Sequence, residues 1–143
     1  MVSKKSRLKQ MTNHIVLVRG LPGSGKSTHA QGLDGYIHYE ADMFLIEAGQ
    51  YIYDKSKIGK AHDWCFNSAK AALENGLNVV VSNTFLKKWE MQRYIDIGYP
   101  FKVLEMNGKW KSVHGVPQEV IDCMVKVMEA IPSEWLILKG YCK

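Results

Sequence analysis

Apolar runs alternate with segments of helical periodicity along this chain. The apolar runs predict strands at residues 14–19 (HIVLVR), 36–40 (YIHYE), 77–81 (LNVVV), 101–104 (FKVL) and 135–138 (WLIL). The periodic segments predict helices at residues 26–33, 41–48, 56–75, 87–97 and 117–130. The nearly continuous apolar run at 77–81 is typical of a parallel strand buried on both faces. The alternation predicts an α/β fold, a three-layer sandwich around a mostly parallel sheet.

Glycine, asparagine and proline mark the expected ends of several helices. Gly49 predicts a break after the helix at 41–48, and Asn75-Gly76 predicts the end of the long helix before it. Pro117 suits the first turn of the last helix. Four apolar residues of that helix are spaced as a face buried in the core: Val120, Met124, Val127 and Met128.

Length and composition predict one cytoplasmic domain. The 143 residues, 46% of them apolar, suit a single domain with a core of its own. No apolar run approaches the roughly 20 residues that span a bilayer, and no secretory signal is recognisable. Three scattered cysteines, without CxxC spacing, argue for reduced thiols and against a zinc site or a disulfide framework. We expect the domain at residues 14–143, after a basic leader at residues 1–13.

The charge of the leader also bears on function. Net charge is +5, and four cations precede the first predicted strand: Lys4, Lys5, Arg7 and Lys9. Such a run is either a solubilising tail or an arm that attracts a polyanion. The rest of the chain stays slightly basic without it, which supports a nucleic-acid partner.

The most specific motif is GLPGSGKS at residues 20–27, the GxxxxGK[ST] phosphate-binding loop. Its glycines let consecutive backbone N–H groups converge on phosphate oxygens. Lys26 can reach the β- and γ-phosphates, and the Ser27 hydroxyl can bind Mg²⁺. A strand predicted before the loop and a helix after it match the context that the motif requires. The predicted nucleotide-binding residues are Gly20, Leu21, Pro22, Gly23, Ser24, Gly25, Lys26, Ser27 and Thr28.

Several classes of protein use this loop, and the rest of the chain separates them. The NKxD and DxxG strings of GTPases are absent from the sequence. A mechanical ATPase usually has an apolar strand that ends in an acidic residue, whereas the run at 77–81 continues into Ser82-Asn83-Thr84. A small kinase needs a phosphate cradle, a metal, a base for the acceptor hydroxyl and a cationic lid. The sequence favours the kinase.

Asp42 is the candidate base. It follows the second predicted strand, so it should lie at the carboxyl edge of the sheet, beside the phosphate-binding loop. A carboxylate there can take the proton of an attacking hydroxyl. An aspartate before Met43 could equally cap the next helix, and the two roles can coexist.

Five motifs resemble the polynucleotide-kinase-like family of P-loop kinases, which includes phage polynucleotide 5′-kinase. They are RGLPGSGKST at 19–28, ADMF at 41–44, AHDWC at 61–65, SNT at 82–84 and HGVP at 114–117, in the family's order. The resemblance covers residues 14–130. It implies an ATP-dependent kinase with Mg²⁺ that phosphorylates a DNA or RNA hydroxyl, at a 5′ end or on a hydroxymethylated base.

The resemblance also implies roles for individual residues. Lys26 would contact the phosphates, Asp42 would be the general base, and Ser27 with Asp42 would hold the metal. Asn83 would help to orient the acceptor, and Lys111 would be the lid cation that stabilises the transferring phosphoryl group. No membrane association is implied.

Three departures from the family pattern leave the acceptor open. Leu45 stands where the 5′-kinase has an arginine that contacts the acceptor phosphate. Lys111 replaces an arginine and cannot form its bidentate fork, and the segment at 104–111 makes a short lid. A small nucleoside or nucleotide kinase, or a nucleotide-binding regulatory module, therefore remain alternatives.

Other residues have both structural and functional interpretations. His62 and Cys65 share a helix face but lack the further ligands of a metal site, so we expect them to pack or to line the acceptor pocket. Trp64, Phe85 and Trp89 are either core aromatics or stacking surfaces for bases.

Overall fold

The computed structural model describes residues 13–108 and 115–136, and a parallel sheet runs through its centre. The strands are β1 (Ile15–Gly20), β2 (Tyr36–Tyr39), β3 (Ile46–Glu47), β4 (Gln50–Tyr51), β5 (Asn78–Asn83) and β6 (Phe101–Met106). The α-helices are α1 (Lys26–Gln31), α2 (Ile58–Glu74), α3 (Lys88–Ile95) and α4 (Gln118–Val127). Short 3₁₀ helices occur at Ala41–Leu45, Lys55–Lys57 and Ser133–Leu136.

The main sheet has the strand order β2-β5-β1-β6, and every neighbouring pair is parallel. Strand β1 is central: Arg19 pairs with Asn83 on one side, and Gly20 with Met106 on the other. The carboxyl ends of β1 and β5 therefore meet at one edge, where open α/β folds bind their ligands.

Residues of β1 alternate between two hydrophobic clusters. Ile15 and Leu17 belong to the larger cluster, which includes residues of α2 and α3. Val16 and Val18 belong to a smaller cluster with Ala30 of α1. Helices thus cover both faces of the sheet, which confirms the predicted α/β fold with a parallel sheet. Among the described residues, no helix is long and apolar enough to cross a membrane.

The helix predicted at 41–48 is wrong in type and length. A 3₁₀ helix ends at Leu45, and the hairpin of β3 and β4 follows it. Ala48 and Gly49, between those strands, have φ values of 50° and 80°. Two consecutive residues with positive φ cannot continue a right-handed helix and instead form the tight turn that two-residue hairpins favour.

The core face predicted for α4 is also wrong. None of the ten residues of this helix, all within the described range, is buried, and Val120 is 43% exposed. The helix ends at Val127, before the expected Ala130, since Glu129 donates its backbone N–H to Leu86 O at 2.7 Å. This contact draws the chain away from the helix axis.

Of the strand predicted at 135–138, the structure describes residues 135 and 136, and these two do not form a strand. Trp135 and Leu136 belong to the last 3₁₀ helix, and residues 137 and 138 lie outside the described range. Trp135 contacts Phe101 edge to face, with ring centroids 6.2 Å apart. Aromatic burial against β6 thus takes the place of the expected strand pairing.

Candidate active site

The phosphate-binding loop connects β1 with α1, as its motif predicts. Gly23 and Gly25 have φ values of 83° and 92°, a region that residues with a Cβ rarely adopt. Gly25 is also the residue from which α1 begins. The two glycines let the backbone curl at the start of this helix, which is the conformation that a phosphate cradle needs.

Gly20 is required for a different reason. A Cβ at this position would lie 2.2 Å from Ser24 Oγ and 3.0 Å from Met106 O. Ser24 is buried, its hydroxyl has no hydrogen-bond partner among the described residues, and its carbonyl accepts from Gly108 N–H at 3.1 Å. The loop therefore closes tightly onto its own fifth residue, Ser24.

The loop forms one wall of a cavity of about 620 Å³, within the usual range of roughly 300–1,000 Å³ for small-molecule sites. Further lining comes from the 3₁₀ helix, the hairpin and its exit, α2 and the residue after β5: Asp42, Tyr51, Tyr53, Ile58, His62 and Thr84. Residues 115–117 and the apolar side chains of Val120 and Met124 complete the lining. This cavity, rather than the core, is what α4 covers.

The ammonium group of Lys26 is under the electrostatic influence of two carboxylates. Burial lowers the pKa of Lys26, while the charges of Asp42 and Glu40 act in the opposite direction. Such a lysine has a partly desolvated charge, which interacts more strongly with an anion than a lysine in bulk water does.

Asp42 lies in the first turn of the 3₁₀ helix, and the N-cap position belongs to Glu40. Asp42 is therefore the second residue of the 3₁₀ helix. It is not the N-cap, which was the structural alternative in the sequence analysis. Tyr51 donates its hydroxyl hydrogen to Asp42 Oδ1 at 3.3 Å. Burial, with the Asp42 charge as a second cause, raises the pKa of Tyr51 to about 12. The phenol thus remains a hydrogen-bond donor to Asp42 at neutral pH.

Asn83 ends β5 and is 7% exposed. Its Oδ1 accepts the backbone N–H of Ala41 at 2.9 Å, and its Nδ2 donates to Cys65 Sγ at 3.8 Å. Burial raises the pKa of the Cys65 thiol, so this partner is a neutral group. Asn83 consequently fixes the start of the 3₁₀ helix on which Asp42 lies.

Glu40 is a candidate site residue that the sequence analysis missed. Its Oε2 accepts from Ser27 Oγ and from Ser82 Oγ, each at 2.7 Å. Burial would raise the pKa of Glu40, but hydrogen bonds from His38, Ser27 and Ser82 outweigh it and hold the pKa at about 2. The signal was available in the sequence, because a carboxylate at the end of a second parallel strand must lie near the phosphate-binding loop.

A smaller cavity of about 220 Å³ adjoins the first beside Asp42. The residues that line both are Lys26, Asp42, Ile58, His62, Thr84 and Met124. Asn83 lines only the smaller one. Leu45, at the position of the missing arginine, is 2% exposed and belongs to the core. Its side chain is apolar and cannot provide a charged contact.

The remaining predicted residues are distributed as follows. Lys111, His114 and the basic leader up to residue 12 lie outside the described residues. Phe85 is 2% exposed, whereas Trp89 is 70% exposed. Trp64 contacts Tyr39 edge to face at 5.9 Å. Within residues 13–108 and 115–136, no three His, Cys, Asp or Glu side chains form a candidate metal cluster around His62 and Cys65 or elsewhere.

Arg19, next to the phosphate-binding loop, connects β1 to other elements around the cavity. The guanidinium is fully buried and donates to Glu105 Oε1 at 2.7 Å, Phe85 O at 2.6 Å and Glu129 O at 2.9 Å. The strand before the phosphate-binding loop is thereby tied to β6, to the segment after β5 and to the segment after α4.

Comparison with known proteins places this geometry in context. A model of the AAA domain family matches residues 15–123. Human (Homo sapiens) NEDD4-binding protein 2 is 36% identical over 145 residues, which cover 88% of this chain and 8% of that protein. The chain therefore spans only a small fraction of the length of this curated relative.

Two solved structures share the fold. A chain of the Pnkp1/Rnl/Hen1 RNA repair complex superimposes with a TM-score of 0.62 at 19% identity, covering 81% of this chain and 44% of that one. A gluconokinase from Sinorhizobium meliloti 1021 gives a TM-score of 0.58 at 20% identity, covering 87% of this chain and 79% of that one. The chain thus shares its fold, a central parallel sheet with helices, with both of these proteins.

Proposed function

We propose that this chain, which belongs to the AAA domain family, is an ATP-dependent kinase that transfers the γ-phosphoryl group to a hydroxyl of a nucleic acid. The observation that supports the proposal best is the position of Asp42. Its carboxylate lines the same cavity as Lys26 and Ser27 of the phosphate-binding loop. A phosphate donor and a proton acceptor therefore face one space.

On the donor side, the loop at residues 20–28 would bind the triphosphate of ATP. Its backbone N–H groups and Lys26 would contact phosphate oxygens. The hydroxyl of Ser27 is a hard oxygen donor beside the carboxylate of Glu40, which suits Mg²⁺, an ion that uses one or two protein ligands together with phosphates and water. When bound, Mg²⁺ neutralises charge on the phosphate oxygens.

On the acceptor side, Asp42 would hold the attacking hydroxyl and take its proton. The hydrogen bond from Tyr51 to Oδ1 orients this carboxylate, and Asn83 fixes the backbone beneath it. Phosphoryl transfer passes through a loose transition state, so positioning the hydroxyl matters as much as removing its proton.

Charge and exposed aromatic surface support a nucleic-acid acceptor. The chain has a net charge of +5, which favours a polyanionic partner. Tyr53 lines the cavity and is 64% exposed, so its ring can stack on a base at the mouth of the site. The similarity of fold to a chain of an RNA repair complex supports the same class of acceptor.

The second candidate is a kinase for a small nucleoside or nucleotide. The observation that favours it is the chemistry of the lining: among its described residues, Lys26 is the one lysine or arginine. With Leu45 in the core, the described acceptor side has no arginine or lysine reserved for a backbone phosphate. A neutral nucleoside would fit such a surface.

The two candidates separate in a labelling experiment. Parent protein and Lys26→Ala would be incubated with γ-labelled ATP and with 5′-OH DNA and RNA oligonucleotides, hydroxymethyl-base DNA, nucleosides and nucleoside monophosphates. We expect label on an oligonucleotide with the parent and none with the variant. Label on nucleosides or nucleoside monophosphates alone would favour the second candidate. Tight ATP binding without any labelled acceptor would contradict both and favour a regulatory module.

A further inference from the structure

The strand next to the phosphate-binding loop lacks the acidic residue that often accompanies this motif. Strand β5 pairs directly with β1 and ends in Ser82 and Asn83. The next strand outward is β2, and Glu40 follows its last residue. A carboxylate from β2 can reach the loop only across the end of β5, and Ser82 occupies that intervening position.

Hydrogen bonds connect Glu40 to Ser27 and Ser82, and in both of them Glu40 is the acceptor. Ser27 Oγ and Ser82 Oγ each donate their single hydrogen to Glu40 Oε2 at 2.7 Å. His38 Nε2 lies 2.7 Å from Ser82 Oγ, so it must be the donor there, since the Ser82 hydrogen already points to Glu40. His38 thus orients Ser82, Ser82 orients Glu40, and Glu40 takes the hydrogen of Ser27.

We propose that Glu40 is the carboxylate that positions Ser27 for Mg²⁺, in place of an acidic residue on β5. Because the Ser27 hydrogen points to Glu40, the lone pairs of Ser27 Oγ are available to a cation. Partners of this kind, which orient a ligand rather than replace it, typically change metal affinity by about 10- to 100-fold. The inference deepens the proposed function and rests on it.

The environment of Glu40 suits this role. Its side chain is 15% exposed, lies 3.5 Å from His38 Nε2 and accepts hydrogen bonds from two hydroxyls, an arrangement that suits a carboxylate anion. A partly buried negative charge beside a phosphate-binding loop repels phosphate unless a cation lies between them. Glu40 should therefore favour MgATP and disfavour ATP without the metal.

The two carboxylates of the site then have separate roles. Asp42 accepts a hydrogen bond from Tyr51 and lines both cavities, whereas Glu40 accepts hydrogen bonds from Ser27 and Ser82. Glu40, through Ser27, is then the carboxylate that supports the metal, a role that the sequence analysis had given to Asp42 as a direct ligand. Asp42 is left to the acceptor.

Binding measurements without turnover test the assignment. ATP affinity would be measured by calorimetry with excess Mg²⁺ and with EDTA, and the ratio of the two affinities is the gain due to the metal. We expect this ratio to be about 10- to 100-fold smaller for Glu40→Gln than for the parent. Affinity in EDTA should stay the same or rise, because a negative charge near the phosphates is removed. A merely structural role would instead lower both affinities together.

Asp42→Asn is the matched control, since it also neutralises one carboxylate whose charge acts on Lys26. It should keep the metal gain of the parent. Ser27→Ala should lose the gain as Glu40→Gln does, and the double variant should lose little more, because residues that act as a unit are not additive. Ser82→Ala should show a smaller loss in the same direction and preserves the charge, so it serves as the second variant if Glu40→Gln does not fold.

The outcomes distinguish this inference from the proposed function. A parent protein that binds no MgATP would overturn both. A parent that binds MgATP while folded Glu40→Gln keeps the full metal gain would overturn the role of Glu40 alone. Equal losses in Glu40→Gln and Asp42→Asn would overturn the division of roles.

Discussion

The two sides of the large cavity are assembled in different ways. The donor side is one continuous segment, residues 20–28, in which backbone conformation determines the shape. The acceptor side collects single side chains from a 3₁₀ helix, a hairpin and its exit, and a long helix. Phosphate binding therefore depends on a local conformation that glycine permits, whereas acceptor recognition depends on tertiary contacts. Substitutions on the donor side should consequently impair phosphate binding, and substitutions on the acceptor side should impair acceptor recognition, so that different assays detect them.

Lys26→Ala should cause the largest loss. Removing the lysine that we propose contacts the phosphates should lower turnover by at least about 100- to 1,000-fold, as the loss of one preorganised hydrogen-bond donor does in other enzymes. The melting temperature should change little, since the side chain faces the cavity rather than the core. Steady-state kinetics and thermal unfolding measure the two effects.

The control for this variant is Lys60→Ala on the exposed surface of α2, which should behave as the parent. Parental ATP affinity and turnover in Lys26→Ala would contradict the assignment of the whole donor side.

Asp42→Asn should affect only the acceptor side. A general base contributes about 10²- to 10⁴-fold, so transfer should slow by at least about 100-fold while ATP affinity and the melting temperature remain near those of the parent. Single-turnover transfer and ATP titration separate these effects. Tyr51→Phe, which removes one hydrogen bond to the carboxylate, should give a smaller loss. Near-parental transfer by Asp42→Asn would remove Asp42 from the mechanism.

The donor side was predictable because its information is local. Strand, loop and helix follow one another between residues 15 and 31, Gly23 and Gly25 have the positive φ values that favour glycine, and Gly20 leaves no room for a Cβ. The family match over residues 15–123 confirms the resemblance on which the sequence analysis relied. The roles given to individual residues stay predictions.

The acceptor side was predictable only in part, because distant contacts determine it. Asn83 has its partner Ala41 at a separation of 42 residues, which no local pattern reveals. The turn at Ala48 and Gly49 replaced the second half of a predicted helix with a hairpin. Val120 and Met124 have the periodicity of a core face, yet they line a cavity, and periodicity alone does not tell these two environments apart.

His62→Ala offers a finer test of the acceptor side. His62 lines both cavities next to Asp42, so an acceptor that approaches Asp42 should contact the imidazole. Loss of one such hydrogen bond costs about 0.5–1.5 kcal/mol, which predicts an acceptor KM roughly 2- to 10-fold higher and an unchanged KM for ATP. His62→Gln, which can still donate, should recover part of the loss. An equal rise in the KM for the acceptor and the KM for ATP would contradict a specific contact between His62 and the acceptor.

Deletion of residues 1–12 should have the smallest effect, and only on a charged acceptor. The segment contains four lysines and arginines, and each phosphate contact contributes about 0.7 to the slope of log K against log salt for single strands. If all four contact the acceptor, the slope for a single-stranded oligonucleotide should fall by up to about 3, with ATP affinity unchanged. Anisotropy titrations over a range of salt concentrations measure this slope. A truncated protein with the slope of the parent would make the leader a solubilising tail, and acceptor recognition would then belong to the cavity alone.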